Sequence, residues 1–170
     1  GNRESRSEQE GRDNCIMGLL RVKDAAETAG VTLCMELLNS KVDHPDYQCD
    51  RTPWGVEVCL GVDSTHVRLL YDFYHMQIME GNLAAGLKRH LDIIGHVQFS
   101  SLPGRNEPQY GEVNIHLLAD YLDELGYAGW VGCEYAAKAG TIEGLDWGKR
   151  YGLGKMLPGN ESSSQSESSI

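Results

Sequence analysis

Four short apolar runs, each closing on a side chain able to hold a metal or move a proton, constrain this chain more than any other feature of it. VTLCME ends on Glu36, VRLLYD on Asp72, GHVQ on Gln98 and WVGCE on Glu134. The runs have the length and β-branched content of strands, and helix-spaced apolar residues follow each one. Strands alternating with helices call for a parallel sheet with crossover helices. In such a sheet the C-terminal ends of the strands share one edge, so the four terminal groups are drawn together there. Three carboxylates and an amide in one place repel each other without a cation, which makes a divalent metal the economical reading.

With 170 residues, 41% of them apolar, the chain is long enough for one domain with its own core. A formal net charge of −10 argues against nucleic acid, whose phosphates need a basic face. A small anion held by one or two local cations stays compatible with it. The longest apolar runs are strand-length, well short of a membrane span, and the opening GNRESRSEQEGRDN is too polar for a signal peptide. The cysteines at 15, 34, 49, 59 and 133 form no CxxC pair. Cys34 and Cys133 fall in strand-like runs and read as buried thiols, which points to a cytoplasmic, reducing setting.

Along the chain, residues 1–13 are charged and aperiodic and read as a disordered lead. Asn14 is expected to cap a helix through Ala29, with Gly30 stopping it. A strand is expected over Val31 to Leu38. The polar stretch from Asn39 to Arg51 is long for a strand-to-helix loop, and long loops in compact domains are often functional. Thr52 and Pro53 suit an N-cap and first helical position, opening a helix to about Cys59. Further strands are expected at Val67 to Asp72, His96 to Phe99 and Trp130 to Tyr135. Helices are expected at Gly81 to Leu91, Ile115 to Leu125 and Thr141 to Tyr151. The domain is read as 14–157, and the Ser-rich 158–170 as a flexible tail.

No GxGxxG or GxxxxGKS motif follows any of these strands, so a nucleotide-binding doubly wound sheet loses its main support. The expected fold is α/β, with four β/α units. That is half of an eight-unit barrel, whose full length is about 250 residues.

The segments MELLNSKVDHPDY, LLYDFYHMQIMEGNL, IGHVQFSSLPGRNEP and GYAGWVGCEY with TIEGLDW resemble the C-terminal half of hydroxypyruvate isomerase-like proteins. These belong to the xylose isomerase-like TIM-barrel superfamily. The resemblance runs over about residues 14–152, and the YDxYHMQIMEG block and PGRxEP turn are its specific parts. It implies metal ligands at Glu36, Asp72, Gln98 and Glu134, with Glu36 and Glu134 doubling as an acid/base pair. It also implies substrate contacts from His75 and Arg105. Matches to the first four barrel strands are absent.

The implied reaction moves a carbonyl between adjacent carbons, interconverting hydroxypyruvate and tartronate semialdehyde through a metal-stabilised enediolate. Two carboxylates can share its proton transfers. Hard oxygen ligands suit Mg²⁺ or Mn²⁺. A neutral His75 suits hydrogen bonding to a substrate oxygen, and Arg105 a bidentate grip on a carboxylate.

Blander readings stand beside these. Gln98 also suits a backbone cap, His75 a packed core position, and Arg105 a brace for its own turn. His96 shares a strand face with Gln98 and reads as structural, as do Asp43 and His44 in the first loop and Tyr71 and Tyr74. A ketose 3-epimerase would use the same paired glutamates. A non-catalytic half-barrel that pairs with a missing half, or with a second copy, is the reading from another class.

Overall fold

The computed structural model describes residues 1–153. The Ser-rich tail expected at 158–170, and the last few residues assigned to the domain, lie outside the described residues.

The first helix, α1 (Glu8–Ala29), corrects the reading of a disordered lead and of Asn14 as cap. Ser7 is the N-cap. Its hydroxyl accepts from the Glu10 amide at 3.2 Å, and the Glu10 carboxylate accepts from the Ser7 amide at 2.8 Å, a reciprocal capping box. The residues before it are pinned to the chain by pairing. Asn2 bridges Tyr47, the Arg3 amide donates to the Asp46 carbonyl at 2.8 Å, and Arg51 pairs with Glu8. Charges that look solvated in sequence find partners in the loop after the first strand. Gly30, at φ 65°, ends α1 as expected.

The strands are β1 (Leu33–Glu36), β2 (Val67–Asp72), β3 (Ile94–Phe99) and β4 (Trp130–Cys133). They form one parallel sheet in sequential order. On one face Val67, Leu69, Tyr71, Val97 and Phe99 are buried. The helices α2 (Thr52–Val62) and α4 (Leu83–His90) pack on it. A side chain on Gly55 of α2 would meet Leu37 and Leu69, and one on Gly86 of α4 would meet the Tyr71 hydroxyl. The segment Glu143–Tyr151 covers the same face, with Trp147 edge-on to Phe99 at 5.1 Å. Sequential strand order with this layer on one face is the winding of a β/α barrel, since each crossover turns with the same hand.

The opposite face carries Cys34 and Glu36, Arg68, Leu70 and Asp72, His96 and Gln98, then Trp130 and Gly132, as the register places them. Apart from buried Asp72 the side chains of this face are half-buried, and Trp130 is 83% exposed. Its phase depends on a bulge. Leu69 pairs with Ile94 and Leu70 with His96, which leaves Gly95 as an extra residue. A Cβ there would sit 2.7 Å from Arg68 Cβ, so only glycine fits the unstrained bulge.

Three further differences from expectation concern single elements. A short helix, α3 (Phe73–Met79), starts directly at the end of β2 because the Asp72 carboxylate caps it. Arg51, not Thr52, is the N-cap of α2; the Thr52 amide and hydroxyl instead donate to Glu80 at 2.7 and 2.8 Å. The final helical stretch is 3-10 over Glu143–Tyr151. The remaining helix, α5 (Ile115–Glu124), is capped by Asn114 as expected.

Candidate active site and metal centre

The C-terminal ends of the strands deliver their polar groups to one mouth. Glu36 is the last residue of β1 and Asp72 the last of β2. Glu134 follows β4 and extends its ladder, with its amide donating to the Phe99 carbonyl at 3.0 Å. His75 enters from the first turn of α3, three residues after Asp72. One donor atom from each of Glu36, Asp72, His75 and Glu134 lies within 4.8 Å of the others. Gln98 is the β3 register partner of Asp72 on the same face. Both Gln98 and His96 lean over Gly132, where a Cβ would lie 3.0 Å from Gln98 Cγ and His96 Nε2. The glycine in WVGCE thus makes room for the side chains of Gln98 and His96.

Crowding shows in the protonation of these groups. Burial, then the neighbouring Asp72 and Glu134 carboxylates, pushes Glu36 up to about 7. Burial also raises Asp72 to about 6, against the pull of the Tyr74 amide on its ionised form. That amide donates to Asp72 Oδ1 at 2.7 Å, while Asp72 Oδ2 is buried with no protein partner. A buried carboxylate oxygen without a donor is costly. A cation among these oxygens would satisfy it and lower both carboxyl groups together. The residues present fit a divalent ion: three converging carboxylates are hard donors, and Gln98 is the register partner of Asp72 on the next strand.

Arg105 reaches the same mouth from the turn after β3. Its Nη2 lies 2.8 Å from Glu134 Oε2, and its guanidinium sits 4.6 Å over the Tyr74 ring. The turn is held by the Asn106 side-chain amide on the Ala136 carbonyl at 2.8 Å and the Ala136 amide on the Arg105 carbonyl at 2.8 Å. Buried Glu107 adds a brace by accepting from the Lys138 amide at 3.0 Å. The PGRNEP turn therefore ties the loops after β3 and β4 together and aims Arg105 inward. Tyr74, read from sequence as packing alone, supports that arginine.

Sequence reasoning missed Asn39. It is fully buried, and its side chain touches His75 at 2.7 Å and Asp43 at 2.7 Å. The available signal was a polar residue immediately behind the strand end, in MELLN, at the head of an unusually long loop. Asp43 pairs with Asn39 rather than with His44, whose ring instead packs 5.5 Å from that of His75. A cleft of about 640 Å³ lined by Lys88, Arg89 and Tyr127 lies at the other end of the strands, away from these groups.

A family model for the xylose isomerase-like TIM barrel matches residues 1–151. A 2-oxo-tetronate isomerase of Cupriavidus necator is 43% identical over 140 residues, 82% of this chain and 54% of that protein. A putative hydroxypyruvate isomerase of Xenopus laevis is 37% identical over 145 residues, 85% of this chain and 53% of that one. Among solved structures, an AP endonuclease, family 2, from Brucella melitensis has a TM-score of 0.84 at 32% identity, covering 89% of this chain and 58% of that one. The chain spans about half the length of the curated relatives it matches.

Proposed function

The chain belongs to the xylose isomerase-like TIM-barrel family, and from that premise we propose that it carries the proton-transfer half of an isomerase for small 2-oxo acids. Hydroxypyruvate is the substrate that best suits the site. The observation that carries this reading is the convergence of Glu36, Asp72, His75 and Glu134, with a buried Asp72 oxygen left unpartnered. Both curated relatives named above are isomerases of 2-oxo acids by name.

In this reading one glutamate takes a proton from the hydroxymethyl carbon of hydroxypyruvate. The electron pair left behind forms the bond between that carbon and the carbonyl carbon, and the carbonyl oxygen takes up a proton. The other glutamate then protonates the former carbonyl carbon while the terminal hydroxyl releases its proton, giving the aldehyde. Glu36, held near 7, exchanges protons readily in both directions at neutral pH. Glu36, Asp72, Gln98 and Glu134 would hold Mg²⁺ or Mn²⁺, which supplies Lewis-acid stabilisation of the negative charge on the substrate oxygens. Arg105, released from Glu134, grips the substrate carboxylate. His75 contributes a hydrogen bond to a substrate oxygen. Among the described residues no helix is long and apolar enough to cross a membrane, and all five cysteines are free thiols, which supports a cytosolic enzyme.

The test is proton NMR of the chain with hydroxypyruvate and Mg²⁺ in D₂O, with Glu134→Gln as control. Deuterium entering the hydroxymethyl carbon above background, and lost in the control, supports the reading. A folded chain that shows no uptake overturns it for this chain. Arg105→Ala identifies the substrate class: it weakens an acid substrate far more than a neutral ketose.

A further inference from the structure

We propose that Asn39 is a positioning residue that holds His75 in its Nε2–H tautomer, so that His75 serves the mouth as a hydrogen-bond donor to a substrate oxygen and not as a metal ligand. This deepens the isomerase reading and rests on it for the identity of the acceptor. Distance alone leaves the question open, because His75 lies within the same 4.8 Å group as the carboxylates.

The orientation of the Asn39 amide is over-determined. Its Oδ1 accepts from the backbone amides of Val42 and Asp43 at 3.1 and 2.8 Å. Backbone amides only donate, so this atom is the carbonyl oxygen. The Nδ2 group, with two hydrogens, then gives one to Asp43 Oδ2 at 2.7 Å and turns the other to His75 Nδ1 at 2.7 Å. The Asn39 backbone amide donates to the same Nδ1 at 3.2 Å. Two donors converge on one ring nitrogen, so Nδ1 carries the lone pair and Nε2 the hydrogen. Protonating Nδ1 would set three hydrogens against each other inside a core where both residues are buried.

The consequence lies at the other nitrogen. Nε2 faces the mouth, 3.8 Å from Glu36 Oε1, too far for a direct bond. To ligate a cation through Nε2, the ring would have to move its hydrogen to Nδ1 and break both Asn39 contacts. The loop after β1 thus selects between two uses of one imidazole.

Long-range ¹H–¹⁵N spectra of the labelled chain at neutral pH, with His75 assigned from His75→Gln, test this. The expected result is a pyridine-like Nδ1 and a pyrrole-like Nε2. With Zn²⁺ alone added, the Tyr74 amide on Asp72 should shift while His75 keeps that pattern. In Asn39→Asp a carboxylate faces Nδ1, and the Nδ1–H form should gain about tenfold or more. A protonated Nδ1 in the unsubstituted chain, conversion to Nδ1–H on adding Zn²⁺, or a folded Asn39→Asp chain with an unchanged ratio would each overturn the proposal. These readouts need no turnover. The expected tautomer without isotope exchange from hydroxypyruvate removes the isomerase reading alone, and exchange with Nδ1 protonated removes this one alone.

Discussion

At the scale of single residues, the site balances crowding against reach. Glu36 and Asp72 are both raised by burial, to about 7 and about 6, whereas His75 is lowered to about 4. A carboxyl group raised on folding binds more protons in the folded chain, so its contribution favours folding at low pH and fades as pH rises through the folded value. His75 acts in the opposite sense between about 4 and its ordinary value near 6.5. His90, also lowered by burial, acts in the same sense as His75, so below about pH 6.5 the histidines offset the carboxyl groups, and above it Glu36 acts alone. The metal-free chain is therefore expected to lose thermal stability from about pH 6.5 to pH 8. Saturating Mg²⁺ or Mn²⁺ should recover it most at the alkaline end, since the ion binds the ionised groups. Calorimetry with and without chelator measures this; a metal-free melting temperature that climbs over that range would contradict the assignment. For turnover, Glu36→Gln should cost on the order of 10² or more in deuterium uptake and leave the circular dichroism spectrum unchanged.

At the scale of elements, two local devices place these residues. The capping box of Ser7 and Glu10 starts α1, and Ser7→Ala should cost about 1 kcal/mol in urea unfolding. A loss near zero would mean that the bridge from Asn2 to Tyr47 and the Arg51 pair hold the helix start without it. The bulge at Gly95 sets the phase of β3 so that His96 and Gln98 share the face of Asp72. Gly95→Ala drives a methyl group to 2.7 Å from Arg68 Cβ and 3.0 Å from Cys34 Sγ, and should cost about 1–3 kcal/mol. Metal affinity should fall with it, because Gln98 moves with the strand. Isothermal titration of the folded variant with Mn²⁺ reads that part separately from stability.

Taken whole, the molecule is a parallel sheet covered on one face and open on the other. The mouth groups stand at the C-terminal end of the open face, and Arg68 and Trp130 lie on that face nearer its other end. Trp130 is 83% exposed, whereas Trp54 is buried and Trp147 packs on Phe99. Acrylamide should therefore quench a large red-shifted component of the emission that disappears in Trp130→Phe. β1 and β4 are the edge strands of the sheet, and if a complementary half-barrel or a second copy pairs there, as the alternative reading of the sequence has it, Trp130 is buried and its emission shifts to the blue. Sedimentation over a range of concentrations, followed with that emission, distinguishes a monomer from self-pairing.

The sequence by itself determined the alternation of strands and helices, the positions of all four strands to within a few residues, and the strand-terminal placement of Glu36, Asp72, Gln98 and Glu134. These are matters of local periodicity and of apolar runs ending on a polar group, which a single stretch of chain carries within itself. Tertiary structure decided what depends on contacts between distant stretches. The opening residues are ordered because their charges meet the loop after β1, and Thr52 gives up the capping of α2 because Glu80, twenty-eight residues on, takes its amide and hydroxyl. Gln98 faces the mouth because a bulge resets the register. The tautomer of His75 is chosen by Asn39, thirty-six residues earlier, since a ring nitrogen responds to the hydrogen bond that folding brings to it.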